Sequence, residues 1–126
     1  MGLDNGVFVR RHHNKEVPIL KKLGFKWVDW GDELIGHDVC YWRRCYEVRE
    51  IFLREAGSEI ASGVYLVPFE AMRAICVDVR KYVFSNQAQY SFPGRIYHIK
   101  QWLKLLMIKH IARNDDRIEI LFYDSY

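Results

Sequence analysis

A chain of 126 residues and 15.1 kDa has the size of one domain. Hydrophobic residues make up 50% and charged residues 28%, the balance of a folded globular protein rather than a disordered one. No apolar run approaches the roughly 18 residues that span a bilayer, and the first residues lack the order of a secretory signal. Composition therefore excludes a membrane protein, a secreted mini-protein and a repeat array, and we expect one cytoplasmic domain over residues 1–126.

The charge is only modestly basic, with 19 basic and 16 acidic residues and a net charge of +3. The isoelectric point of 8.8 lies below the value of about 9 that marks many nucleic-acid-binding domains. The cations are also spread along the chain as pairs such as Arg10–Arg11, Arg43–Arg44 and Arg80–Lys81. We interpret these pairs as solvated surface charge and do not expect nucleic acid or a membrane as a partner.

Short elements are predicted at the beginning of the chain. Alternating valines after a turn predict a strand over residues 7–10, and Pro18 suits the first turn of a short helix over residues 18–23. A second strand is predicted over residues 25–30.

Three longer helices are predicted from apolar residues that recur every three to four positions. They cover residues 39–56, with Asp38 as the cap, residues 68–84 and residues 95–112. A last strand is predicted over residues 118–122. The sequence therefore predicts an α+β fold, with three helices packed on a small sheet that the N- and C-terminal strands form.

The third helix is apolar over most of its circumference, which is more than one small sheet covers. Leu105, Ile108 and Ala112 form a second stripe beside the main one. We expect this stripe to form the interface of a homodimer. The alternative is a helix at the centre of its own fold.

The histidines, cysteines, serines and glycines form no motif typical of a metal site or a catalytic site. His37 and Cys40 lie close together in sequence, but no second cluster completes a metal site, so no metal or cofactor is expected. The serines lack a nucleophile elbow and the glycines form no phosphate loop. The three cysteines, Cys40, Cys45 and Cys76, fall in predicted helices and are expected to be reduced and buried.

One cation does not fit the solvated interpretation. Arg49 falls in the middle of the apolar half of the first long helix, where an unpaired charge costs several kcal/mol. It either forms an internal ion pair with Asp4 or a nearby acid, or lies at the floor of a pocket for an anion such as a nucleotide. The candidate pocket residues are Arg49, Trp42, Arg43, Tyr46, Trp27, Asp4 and Asn5.

Two motifs and the tail resemble a family of small proteins encoded by bacteriophages and prophages. The first is the opening Met1–Gly6, which reads MGLDNG, and the second is Tyr41–Arg44 at the start of a helix. The aromatic tail Tyr123–Tyr126 matches loosely, because Tyr126 stands where a tryptophan is expected.

This resemblance implies a phage or prophage accessory protein in a bacterial cytoplasm, and it implies no enzymatic activity. The function predicted is therefore binding, with the counteraction of a bacterial defence system as its expected purpose. The partner would be a host protein that is inhibited or a nucleotide signal that is sequestered. The alternative is a small enzyme that acts on nucleotides.

Overall fold

A computed structural model describes residues 4–125, over which six strands and five helices follow one another along the chain. A 3-10 turn over Phe69–Ala71 leads into the third helix. The elements are β1 (Asp4–Arg11), α1 (Pro18–Lys22), β2 (Trp27–Asp29), β3 (Ile35–Arg43), α2 (Tyr46–Glu55), β4 (Glu59–Ala61), β5 (Val64–Val67), α3 (Met72–Val83), α4 (Asn86–Tyr90), α5 (Arg95–Arg113) and β6 (Ile118–Ser125).

The strands form one antiparallel sheet in the order β2-β3-β1-β6-β5-β4. β1 and β6 pair at its centre along their whole length, from Asp4 opposite Ser125 to Arg11 opposite Ile118. The prediction of an α+β fold whose terminal strands pair is thereby confirmed, in a sheet larger than expected.

Helices α2, α3 and α5 cover one face of this sheet. Side chains on this face of the central strands, such as Val7 and Phe122, lie in one hydrophobic core with the inward residues of the helices. The rings of Phe52 and Phe122 stack with centroids 4.5 Å apart, which fixes α2 against β6.

The opposite face carries a smaller cluster built around Phe8, Leu121 and Tyr123. Trp30 folds over this cluster, with its ring 5.3 Å from that of Phe8. Only glycine fits at position 6, because a Cβ atom there would lie 2.3 Å from a ring carbon of Tyr123. The absence of a side chain at Gly6 therefore lets the ring of Tyr123 lie directly on β1.

The prediction of one helix over residues 39–56 is wrong in its first part. Residues up to Arg43 belong to β3, which is paired with β1 from Val9 opposite His37 to Asp4 opposite Arg43. Apolar residues at 39, 40, 42 and 45 fit a helical face and a strand with a bulge equally well. The backbone groups of β1 decide between them, because this pairing satisfies them.

The remaining predictions hold with local changes. The strands at both ends, α1, α3 and α5 lie where the sequence predicted them, within a few residues. The hairpin of β4 and β5 and the short helix α4 were missed.

The orientation of α5 removes the basis of the predicted dimer interface. Leu105 and Ile108 are fully buried in the core of the chain itself, and Ala112 is half-buried. The side of α5 that faces away from the core instead carries Ile96 and Leu103. A homodimer stays a prediction, but Leu105 and Ile108 cannot contact a second copy of the folded chain.

Matched leucine substitutions on α5 test this orientation. We expect Leu105→Ala to lower the free energy of unfolding by about 2–5 kcal/mol, because it leaves a cavity in the core. Leu103→Ala should change it by less than about 0.5 kcal/mol, because that side chain is 52% exposed. Urea unfolding measures both, and equal losses would contradict the orientation.

Candidate anion-binding site

The pairing of the central strands brings most of the predicted site residues to one end of the sheet. Asp4 lies opposite Arg43 of β3, and Asn5 lies between Trp42 and Asp124 on the two neighbouring strands. Trp27 is not part of this group. It lies on β2, where its ring centroid is 5.1 Å from that of His37. His37 pairs with the half of β1 that is remote from Asp4 and Asn5.

Arg49 of α2 forms an internal ion pair with Asp124 of β6. Its Nε and Nη2 atoms each lie 2.9 Å from a carboxylate oxygen of Asp124, in the bidentate geometry that favours arginine. The side chain of Asp124 is 8% exposed and that of Arg49 is 24% exposed. Of the two alternatives for Arg49, the structure shows the ion pair with a nearby acid, and the acid is Asp124.

Asn5 extends this buried network, and Trp42 lies beside it in the core. The Asn5 amide donates to Asp124 Oδ1 over 2.8 Å. Trp42 is 1% exposed and packs against Phe52, so it belongs to the core and offers no ring face to a ligand. Within residues 4–125, Trp42 Nε1 and Asn5 Oδ1 have no hydrogen-bond partner.

Asp4 and Tyr46 lie at the surface of the same end. Asp4 accepts a hydrogen bond of 2.7 Å from the Tyr41 hydroxyl, and this bond, together with burial, raises the pKa of Tyr41. Tyr46 is the first residue of α2 and its side chain is exposed. Neither residue contributes a cation for an anion to bind.

The accessible cations at this end are Arg43 and Arg44. Together with Ser91 and Phe92 they line a cleft of about 330 Å³, which we call the arginine cleft. Both arginines are exposed, and neither forms a salt bridge with any residue from 4 to 125. Phe92 is 80% exposed and presents a ring at the edge of the cleft.

Arg44 holds a backbone conformation that arginine rarely adopts. Its φ of 53° lies in the left-handed region, between the end of β3 at Arg43 and the start of α2 at Tyr46. This conformation costs a residue with a Cβ atom about 1–2 kcal/mol, whereas glycine adopts it freely. Glycine at this position would relieve the strain but would remove the exposed guanidinium group from the cleft.

Ser91 is held in place from behind the cleft. The Tyr82 hydroxyl and Ser91 Oγ share a hydrogen bond of 2.5 Å, and Ser91 Oγ also lies 3.2 Å from the carbonyl oxygen of Gln87. Burial raises the pKa of Tyr82, so its hydroxyl is protonated at neutral pH. The wall of the cleft that carries Ser91 is therefore ordered without a ligand.

A thiol and an imidazole lie near this wall, on Cys45 and His98. Burial is the largest cause that raises the pKa of the Cys45 thiol, and burial lowers the pKa of His98. At neutral pH the thiol is therefore protonated and the imidazole is neutral. Cys45 is 3% exposed and His98 is 1% exposed, so neither group is accessible to a ligand in the cleft.

A larger cleft of about 610 Å³ lies at the opposite end of the sheet and is also basic, but its arginines are already paired. Arg11 and Arg117 both bind the carboxylate of Asp115. The hydrogen bond from Arg117, followed by that from Arg11, lowers the pKa of Asp115 to about 2. The arginine cleft is therefore the better candidate for an external anion.

Sequence reasoning identified Arg43 but missed Arg44, Ser91 and Phe92. Arg44 was available as the neighbour of Arg43 and was interpreted as surface charge. Ser91 and Phe92 carried no signal, because only the folding of the segment after α3 brings them to the end of β3. Arg10 was also missed: it is buried, ion-paired with Glu119 and hydrogen-bonded to the carbonyl oxygens of Glu33 and Ile35.

Within the part of the chain that the structure describes, no three His, Cys, Asp or Glu side chains are placed to hold a metal ion. Over the same residues, no helix is both long enough and apolar enough to cross a membrane. Comparison of the chain with protein-family models, curated proteins and solved structures found no match.

Removal of the ion pair between Arg49 and Asp124 is expected to lower the stability of the protein. Arg49→Met leaves the Asp124 carboxylate buried without its bidentate partner, and we expect a loss of about 2–4 kcal/mol in the free energy of unfolding. Arg43→Met serves as the matched control and should leave stability unchanged. Chemical denaturation measures both, and an Arg49→Met protein as stable as the wild type would show that the pair contributes little.

The cysteines predict a second, chemical result. All three are free and buried, and burial raises the pKa of Cys76 to about 11 and those of Cys40 and Cys45 as well. A thiol-reactive dye at mildly alkaline pH should therefore label none of them in the native protein and all three in denaturant. Rapid labelling of one native thiol would contradict this protection.

Proposed function

We propose that this chain is a binding protein that holds a small phosphorylated ligand, of the size of a mononucleotide, in the arginine cleft. The observation that carries the proposal is the pair Arg43 and Arg44, two exposed cations that share one cleft and form no salt bridge within residues 4–125. A phosphate group would supply the negative charge that these two cations do not receive from a described residue.

The chemistry of the lining residues fits this ligand class. Guanidinium groups bind phosphate oxygens through two parallel hydrogen bonds, and two of them neutralise a dianion. Ser91 adds an oxygen at the wall, and the exposed ring of Phe92 offers a face on which a base can stack. The volume of about 330 Å³ lies near the lower end of the range for ligand pockets, which favours one nucleotide over a longer ligand.

The groups around the cleft favour binding over turnover. Cys45 and His98 are the nearby groups that could act as nucleophile or base, and both are buried, so neither reaches a ligand in the cleft. Position 44 carries an arginine although its backbone conformation is strained, which is compatible with a binding role for the side chain.

The resemblance to phage and prophage proteins supplies the biological setting of the proposal. In a bacterial cytoplasm, a protein that binds a nucleotide without converting it would lower the free concentration of a nucleotide signal. We propose that this is how the chain would counteract a defence system.

Two substitutions in the cleft test the proposal. Arg43→Gln should weaken the binding of a mononucleotide by about 10–100-fold, because one charged hydrogen-bonding group is worth about 1.5–3 kcal/mol. Arg44→Gly should weaken it similarly while leaving the protein as stable as the wild type or more so, because glycine relieves the strained φ. Calorimetric titration with phosphate, AMP, GMP and UMP measures the first effect, and thermal melting the second.

Arg113→Gln is the matched control, because Arg113 is an exposed arginine at the far end of α5. It should bind as the wild type does. Equal weakening by this variant would mean that only net charge matters, and no binding of any mononucleotide would refute the proposal. Appearance of a converted nucleotide in the titrated sample would instead support the enzymatic alternative.

A further inference from the structure

The acidic residues are absent from a long stretch of the chain that forms one side of the molecule. Between Asp78 and Asp115 the sequence contains no aspartate or glutamate. The stretch includes the end of α3, all of α4 and all of α5. Its lysines and arginines are Arg80, Lys81, Arg95, Lys100, Lys104, Lys109 and Arg113.

The same stretch exposes large apolar side chains, which a solvated basic surface does not require. On α5, Ile96 is 71% exposed and Leu103 is 52% exposed, and both lie on the side opposite the buried Leu105 and Ile108. On α3, Val77 and Phe84 are also exposed. Isolated exposed apolar residues are ordinary, but a group of them on adjacent helices marks an interaction surface.

Helices α3 and α5 bring these side chains onto one surface. Arg95 at the start of α5 donates to the carbonyl oxygen of Val83 at the end of α3, so the two helices run antiparallel. Trp102 of α5 bridges them, since its Nε1 donates to the carbonyl oxygen of Cys76 and its ring contacts Phe84 at 5.9 Å. We call this surface the α3–α5 face; it comprises Val77, Arg80, Phe84, Ile96, Lys100 and Leu103.

Cations are part of the α3–α5 face itself. The guanidinium of Arg80 lies over the ring of Phe84, 5.9 Å from its centroid, and Lys100 projects between Ile96 and Leu103 on the outer side of α5. Neither cation forms a salt bridge within residues 4–125. The nearest acid on α3, Asp78, is engaged by Arg54 of α2.

We propose that the α3–α5 face binds a partner protein through an amphipathic helix that is apolar along its centre and acidic along its flanks. Such a helix would lay its apolar stripe between α3 and α5, on Val77, Phe84 and Leu103, and place carboxylates opposite Arg80 and Lys100. An apolar centre with charged residues around it is the usual composition of a protein–protein interface. This inference goes beyond the proposed function, because it uses a different surface.

The charge and the apolar surface of the face argue against three other occupants: a second copy of the chain, nucleic acid and an anionic bilayer. A second copy of the chain would bring the same cations together across a symmetric interface, where like charges repel. Nucleic acid offers phosphate for the cations but no aliphatic surface for Ile96, Leu103 and Val77. An anionic bilayer would take a basic and apolar helix, but such helices insert a continuous apolar face, whereas here Arg80 and Lys100 interrupt it.

Two synthetic helical peptides test the proposal against the full chain. Each is about 18 residues, or five turns, with leucines at i, i+3, i+4 and i+7, and the flanks are glutamate in one and lysine in the other. Fluorescence anisotropy near physiological ionic strength measures binding. We expect the glutamate peptide to bind and the lysine peptide not to bind.

Variants on the face should change this result in defined directions. Leu103→Glu should weaken the glutamate peptide about tenfold or more, and Leu103→Gln replaces it if thermal melting shows that Leu103→Glu is destabilised. Lys100→Glu should weaken the glutamate peptide and strengthen the lysine peptide. Lys22→Glu, an exposed cation on α1, and Arg43→Gln in the arginine cleft should leave the binding of both peptides unchanged.

Each of the other outcomes would overturn the proposal. These are equal binding of the two peptides, binding of neither, and binding that Leu103→Glu and its Gln substitute leave unchanged. Retention by anionic phospholipid vesicles or duplex DNA at concentrations where the glutamate peptide does not bind would assign the face to lipid or nucleic acid. A wild-type dimer in sedimentation that Leu103→Gln dissociates would assign it to a second copy.

Discussion

The carboxylate of Asp124 joins three elements of this protein at one end of the sheet. It accepts both hydrogen bonds of Arg49 on α2 and one from Asn5 on β1, while its own residue belongs to β6. A buried carboxylate loses its hydration, and three charged or polar donors offset that loss only if all stay in place. Together with the stacking of Phe52 on Phe122, this carboxylate therefore holds α2, and the link through Arg44 that precedes it, at the end of the sheet.

The same requirement separates the structural cations from those available to a partner. Arg10 is buried and Arg49 is partly buried, and each is bound by an acid of β6. Arg43, Arg44 and Lys100 are exposed, so solvation permits them to remain without a salt bridge to any described residue. Burial thus consumes some arginines in folding, and exposure leaves others for recognition, although all look alike in the sequence.

Local patterns predicted the elements that are amphipathic over several turns, such as α3 and α5, and the terminal strands. They failed for β3, where the spacing of Val39, Cys40 and Trp42 suits a helix and a bulged strand alike. The choice is made by β1, which is far away in sequence and needs a partner on that edge. The site followed the same division: the need of Arg49 for an acid was predictable from its position, whereas the approach of Ser91 and Phe92 to Arg43 depends on long-range packing.

The cations of the arginine cleft and those of the α3–α5 face would act over different distances in the two proposed complexes. The two complexes should therefore respond differently to salt. In the proposed nucleotide complex, Arg43 and Arg44 would hold the phosphate through direct bidentate hydrogen bonds, which salt weakens less than the attraction between separated charges. The cations of the α3–α5 face are exposed and spread over two helices, so their attraction falls within a Debye length of about 8 Å near physiological ionic strength. Rising salt should therefore weaken a partner helix on Arg80 and Lys100 down to the contribution of Leu103 and Phe84, and weaken a nucleotide much less. On the two proposals together, a rise in ionic strength would release the partner helix while the nucleotide stays bound.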